Sequence, residues 1–302
     1  MPDAPLAPGA VVGFIGLGNM GHPMATQLAG GGYAVRAYDQ APAACAALAD
    51  VAGVTIVDSA AAAAEGAAAV ILMLPNSDIV ESVVHDAGLL DALAPGAYLI
   101  DMSTSEPTRT RALAPTVAEH GATLLDGPVS GGVRGAVAGT LTIMVGGEPG
   151  AAEAVRPMLE TMGGNVLHVG PSGAGHALKA LNNLMSATNL LVASEAVVVG
   201  KEFGLDPKVM IDAVNVSTGS SGATEVKWPR FMLDRSFDAG FTMGLMVKDM
   251  RIAIDLAEST GWPSRLGEVA TEMWAKASER LTPEADHTEI VRWLEEIHEN
   301  PA

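Results

Sequence analysis

Lys179 and Asn183 stand four residues apart in "GHALKALNN" (Gly175 to Asn183), within an otherwise apolar stretch. Residues at that spacing share one face of a helix. Lysine is rarely buried without a partner. In a partly dry cleft its pKa falls, and it can exchange a proton near neutrality. Asn183 could hold a substrate oxygen or the ammonium beside it. A lysine snorkelling to solvent at a helix end is the alternative. Asn182 points about 100° away around the helix and reads as structural.

A second candidate is Gly16-Leu17-Gly18-Asn19-Met20-Gly21. This glycine pattern follows an apolar strand and opens a helix, the context a dinucleotide fingerprint requires. Gly16 would make the tight turn, Gly18 would admit a pyrophosphate, and Gly21 would let helix and strand pack closely. The helix N-terminus would then face the phosphates. Asp39 ends the next strand, 18 residues after Gly21, and Gln40 follows it. Its carboxylate can accept from ribose hydroxyls and would repel a 2′-phosphate, so NAD is favoured over NADP. Leu74-Pro75 and Asp101-Met102-Ser103-Thr104 lie at the ends of two further apolar strands. Ligands bind outside such strand ends, although turn chemistry and helix capping explain the same residues. Ser130-Gly131-Gly132 strings backbone N–H groups together with one hydroxyl, a turn suited to a carboxylate. Lys248-Asp249 reads as the start of an amphipathic helix. The macrodipole disfavours a cation there, which points to an anionic partner for Lys248.

These residues need a scaffold. "VVGFIG", "YAVRAYD", "VTIVD", "AVILMLP" and "AYLIDMS" are apolar runs at regular spacing, mostly separated by alanine-rich stretches. Continuous apolar strands alternating with helices predict a parallel sheet covered on both faces. "ATLLDGP", "TLTIMVGG" and "NVLHVG" follow, and from Gly175 the pattern is nearly all helical. The Gly/Pro cluster "GPSGAG" marks the boundary. The expected organisation is α/β: a doubly wound nucleotide-binding domain over residues 9–174, then a helical domain over 175–302, joined by a long helix. The run Ala60 to Ala69 reads as a sheet-covering helix.

Composition narrows the function classes. Seventeen Lys+Arg against 35 Asp+Glu give a formal net charge of −18, which opposes nucleic-acid and anionic-membrane partners. The single cysteine, Cys45, excludes an intrachain disulfide and any multi-cysteine metal site; no metal is expected. The start "MPDAPLAPGA" lacks a basic segment and an apolar run, so a cytoplasmic location is expected. Leu190 to Val199 is a long apolar run, but Ser194 and Glu195 interrupt it, making a poor membrane span.

Taken in order, "GFIGLGNMGHPMA", "DGPVSGGVRGAVAGTL", "GHALKALNN" and the Lys248-Asp249 pair resemble the β-hydroxyacid dehydrogenase family over nearly the whole chain. The family includes 3-hydroxyisobutyrate dehydrogenase and semialdehyde reductases. The resemblance implies a Rossmann domain and a helical domain. It implies Lys179 as the catalytic lysine, Ser130, Gly131, Gly132 and Asn183 on a small carboxylate substrate, and Lys248 near substrate and nicotinamide. A homodimer or homotetramer is the expected assembly. One departure stands out: Gly222 occupies a place where a bulky tryptophan is expected in 3-hydroxyisobutyrate dehydrogenases, so a wider pocket is expected.

Overall fold

A computed structural model describes residues 4–299. Residues 300–302, the end of the second expected domain, lie outside the described residues. The chain divides into two compact units between Lys179 and Ala180, inside a helix that begins in the glycine cluster and runs unbroken over Ala174–Glu202.

The first unit is built on a nine-stranded sheet. Its strands are β1 (Val11–Ile15), β2 (Ala34–Tyr38), β3 (Val54–Ile56), β4 (Ala69–Leu72), β5 (Tyr98–Asp101), β6 (Thr123–Asp126), β7 (Val129–Ser130), β8 (Leu141–Gly146) and β9 (Gly163–Gly170). The order β3-β2-β1-β4-β5-β6 is parallel throughout. Successive side chains alternate between faces. Phe14, Ile71, Ile100 and Leu125 enter the core on one side of the sheet; Ile15, Leu72, Leu99 and Leu124 enter the core on the other. That double burial is why these strands read as unbroken apolar runs rather than alternating ones.

Two expectations need correction. The sheet is not parallel to its end: β8 runs antiparallel to both β6 and β7, and only β9 is again parallel to its neighbour β8. The reason is the short connection. Only the helix Gly132–Ala138 separates β7 from β8, too little chain for a right-handed crossover. The alanine run is not one helix either. It is helical over Ala60–Ala64, capped by Ser59 Oγ accepting from Ala62 N at 3.0 Å. It then turns at Gly66 (φ +67°) and becomes the start of β4. Small side chains are required there, because a Cβ on Gly13 of β1 would lie 2.6 Å from the Ala63 carbonyl oxygen.

The second unit packs the helices Pro207–Asn215, Met243–Ser259, Arg265–Arg280 and Ile290–Glu299 with the later turns of the long helix. Trp274 is fully buried and donates from Nε1 to the Ala187 carbonyl at 3.2 Å. Ala223–Met232 is a π-helix, with Leu233 N donating to Trp228 O at 3.0 Å; Pro229 lies inside it and supplies no N–H of its own. The long helix is the one described helix whose length and composition would allow a membrane span. Its apolar side, with Ala180, Leu184, Ala187, Leu190 and Leu191, is core of this unit.

Candidate active site

The glycine loop has the geometry its spacing predicts. Gly16 follows β1 with φ +96°, and a Cβ there would lie 2.2 Å from the Met73 carbonyl oxygen. A Cβ on Gly21 would lie 1.9 Å from the Gly16 carbonyl oxygen, so this glycine permits the helix Gly21–Gly30 to start against the turn. Gly18 differs: it is exposed, and a Cβ would meet nothing within 4 Å. The open space lies at the position where a pyrophosphate must approach the backbone. Met20 precedes the helix without a side-chain cap; within the first turn His22 N donates to the Gly18 carbonyl at 3.0 Å and Pro23 has no N–H. Asn19 is exposed and Met20 half-buried beside them. The residues present therefore fit a dinucleotide.

Asp39 does more than its position at the end of β2 suggested. Its Oδ2 accepts from Leu17 N at 2.7 Å and its Oδ1 from Ala41 N at 2.8 Å. The carboxylate thus holds the glycine loop as well as standing where ribose hydroxyls are read. Leu74 joins the same cluster. Its side chain lies beside Gly16, and its N–H donates to Ser103 Oγ at 2.9 Å. Pro75 is exposed and Thr104 half-buried next to these strand ends.

Ser130-Gly131-Gly132 forms the end of β7 and the entry to the helix Gly132–Ala138. Gly131 has φ +130° and Gly132 φ +61°, conformations that favour glycine. Gln27 of the cofactor-side helix donates from Nε2 to the Val137 carbonyl at 2.6 Å, tying this segment to the nucleotide half.

Lys179 is half-buried in the second turn of the long helix. One turn on, Asn183 is 7% exposed and donates from Nδ2 to Asp249 Oδ2 at 2.6 Å. Asp249 is itself 2% exposed, and its Oδ1 lies 3.1 Å from Lys248 Nζ. That contact is an ion pair whose geometry falls short of a hydrogen bond. Asp249 therefore joins two predicted site residues from different helices. Asn182, read as structural, donates from Nδ2 to Asn183 Oδ1 at 3.3 Å. Lys248 is not at a helix start, because the helix runs Met243–Ser259 behind a Thr242 cap. The macrodipole argument lapses there, since that field is confined to the first turn. Asp249 supplies the anionic partner directly.

Two buried carboxylates, one of them in the strand-end stretch Asp101 to Thr104, have no role assigned to them by the sequence alone. Asp101 and Asp126 are paired in register at the ends of β5 and β6, 2% and 0% exposed. Asp101 accepts from Ser103 N at 3.0 Å and from Ser105 Oγ at 2.7 Å. Asp126 accepts from Gly173 N at 2.7 Å and His176 N at 2.9 Å, fixing the start of the helix that carries Lys179. The sequence did hold a signal, since each acid closes a strand that is otherwise apolar. Among the described residues no group of three His, Cys, Asp or Glu side chains could hold a metal.

The chain matches known proteins over both of its halves. Residues 11–170 match the NAD binding domain of 6-phosphogluconate dehydrogenase. Residues 173–294 match the NAD-binding domain of NADP-dependent 3-hydroxyisobutyrate dehydrogenase. The chain is 40% identical to an NAD-dependent L-serine dehydrogenase of Pseudomonas aeruginosa, over 87% of this chain and 90% of that one. It is 38% identical to a 2-(hydroxymethyl)glutarate dehydrogenase of Eubacterium barkeri, over 87% of each. Among solved structures, a Mycobacterium tuberculosis 3-hydroxyisobutyrate dehydrogenase with L-serine superposes with a TM-score of 0.89. It is 35% identical, and the match covers 95% of this chain and 99% of that one.

Proposed function

As a member of the β-hydroxyacid dehydrogenase family, the chain is a nicotinamide-dependent hydroxyacid dehydrogenase, and we propose that it oxidises 2-substituted 3-hydroxypropanoates to their semialdehydes with NAD as the preferred cofactor. The relatives above are named for L-serine, 2-(hydroxymethyl)glutarate and 3-hydroxyisobutyrate. These compounds share one skeleton: a carboxylate, an α-carbon with a variable group, and a primary alcohol. The observation that carries the reading is Asn183, nearly buried and fixed by Asp249 one helical turn from half-buried Lys179. The test is nicotinamide absorbance with a panel of such hydroxyacids; no turnover with any of them, with either cofactor, would overturn it.

In this reading Gly16 to Gly21, Asp39, Leu74, Pro75 and Thr104 hold the dinucleotide, with Lys248 near its nicotinamide. The bound nicotinamide supplies the hydride acceptor. Ser130, Gly131 and Gly132 receive the substrate carboxylate through backbone N–H groups and one hydroxyl, with Lys248 adding charge. Asn183 is oriented by its bond to Asp249 and holds the substrate hydroxyl. Lys179 takes the hydroxyl proton during oxidation and returns it during reduction. A semialdehyde reductase uses the same groups in the opposite direction.

Preference for NAD rests on the Asp39 carboxylate, which repels a 2′-phosphate. Its second task, holding Leu17 N and Ala41 N, changes what its removal should do. Asp39→Ala should weaken both cofactors through the loop, while the ratio of kcat/KM for NAD over NADP narrows. The ratio is therefore the measurement. A wild type that uses NADP as well as NAD would remove this assignment.

The expected homodimer or homotetramer has support on the long helix. Leu178, Met185, Val192 and Val199 recur every seven residues, an interval that keeps side chains on one stripe. All four are exposed, an apolar line of the kind that marks an interface. Light scattering should give the mass of a dimer or tetramer, and a purely monomeric mass at micromolar concentration would discard the proposal.

A further inference from the structure

The long helix carries a buried histidine that none of the steps above uses. His176 lies in its first turn, three residues before Lys179, and is fully buried. A buried ring nitrogen needs a hydrogen-bond partner. Nδ1 has one: Thr110 Oγ1 stands 2.8 Å away, closer than the 3.2 Å at which the same hydroxyl approaches the Glu106 carbonyl. Nε2 makes no hydrogen bond and faces Asp101 Oδ2 at 3.7 Å. A carboxylate opposite Nε2 attracts a proton and repels a lone pair, which places the ring proton on Nε2. Nδ1 then accepts from the Thr110 hydroxyl.

Each partner is fixed to the scaffold. Thr110 lies in the helix Pro107–Glu119 and is itself buried. Asp101 closes β5 and is held by Ser103 N and Ser105 Oγ. Ser103 Oγ in turn accepts from Leu74 N. Leu74, Ser103 and Asp101 thus form one chain of bonds, and His176 Nε2 stands at its end. Asp126 acts differently, because it takes the backbone N–H groups of Gly173 and His176. Those bonds fix where the helix begins. A side chain locked on its flank fixes which way the helix faces, and that matters to Lys179. At a side-chain radius of about 5–6 Å, a rotation of about 10° shifts a side-chain tip by about 1 Å. A displacement of that size can cost ~10²-fold in rate.

We propose that His176 is a positioning residue of the dehydrogenase reaction: bonded to Thr110 and drawn to Asp101, it holds the rotation of the helix that carries Lys179 and so aims the amine at the substrate hydroxyl. This rests on the dehydrogenase reading above, with Lys179 as its acid–base group. Asp101, Thr110, His176 and Lys179 all belong to the first unit, so the device is internal to it.

Double-mutant kinetics test the proposal, with NAD and the fastest compound of the hydroxyacid panel. His176→Leu should lower kcat by about tenfold to ~10²-fold, while the NADH dissociation constant holds. In a Lys179→Ala background the same substitution should change kcat little, because a residue that acts through the lysine has nothing left to aim. His176→Asn should recover most of the loss, since its side-chain oxygen sits where Nδ1 accepts from Thr110. Should His176→Leu not fold, Thr110→Val breaks the same bond with a side chain of the same shape and takes its place in the comparison. A residue that only braces the fold would lower the melting temperature and leave the kcat of folded enzyme unchanged, or lower kcat by one factor in both backgrounds. Either result overturns the role of His176 and leaves the dehydrogenase standing, as does an asparagine variant no better than leucine. A Lys179→Ala variant that keeps most of its turnover overturns the lysine reading and this proposal with it.

Discussion

Lys179→Ala should lower kcat by at least ~10²-fold, the lower end of what a positioned acid–base group contributes, while the dissociation constant for NADH stays nearly unchanged. The two quantities separate because they are held by different parts of the molecule. In the proposed mechanism cofactor affinity depends on the glycine loop, pinned by Asp39 to Leu17 N at 2.7 Å. In that mechanism proton transfer depends on a lysine in the second turn of the long helix. Lys179→Arg should fail almost as badly, because guanidinium does not release its proton near neutrality. In the wild type, kcat/KM for oxidation should rise with pH as the lysine loses its proton. That limb should be missing from the alanine variant. Steady-state turnover and an NADH fluorescence titration suffice. Retention of most of the turnover would mean that the lysine is structural. Joint collapse of turnover and NADH affinity would place its role in building the nucleotide site, against the mechanism proposed.

Much of this arrangement could be read from sequence because its causes are local. A strand buried on both faces must be apolar at every position, so β1, β4, β5 and β6 announced themselves. Gly16 and Gly21 are demanded by backbone contacts inside a single strand–turn–helix unit. What escaped depends on partners distant in sequence. Asp249 gains its meaning from Asn183, 66 residues earlier, and Asp126 from Gly173 and His176, 47 and 50 residues later. The antiparallel β8 follows from a connection too short to carry the chain back for a parallel strand, and the two residues of β7 are too few to show a period. The π-helix escaped for another reason. Its sequence, "ATEVKWPRFM", fits an α-helical period only loosely and holds a proline that reads as a break.

Replacing Asp126 should have the largest effect on stability, and through it on the placement of Lys179. The carboxylate is fully buried and receives two backbone N–H groups at the start of the long helix. The helix N-terminus adds a favourable field for its charge. Gly175 is wedged against it: a Cβ there would lie 2.9 Å from Asp126 Oδ2 and 2.1 Å from the Met144 carbonyl oxygen. Asp126→Ala would leave two buried donors unpaired at ~1–3 kcal/mol each, about 2–6 kcal/mol in all. Asp126→Asn should lie between, because one oxygen still accepts while the new amide turns a donor toward a donor. The four tryptophans, Trp228, Trp262, Trp274 and Trp293, all lie in the second unit. Loss of the first unit should therefore appear in far-ultraviolet circular dichroism at a temperature where tryptophan fluorescence is still native. Turnover of the folded variants should follow the same order, wild type above asparagine above alanine, because the first turn of the helix sets the register of Lys179. An alanine variant that melts with the wild type would show that the two N–H groups find other partners. One that melts early but keeps full kcat below its transition would separate the cap from the position of the lysine.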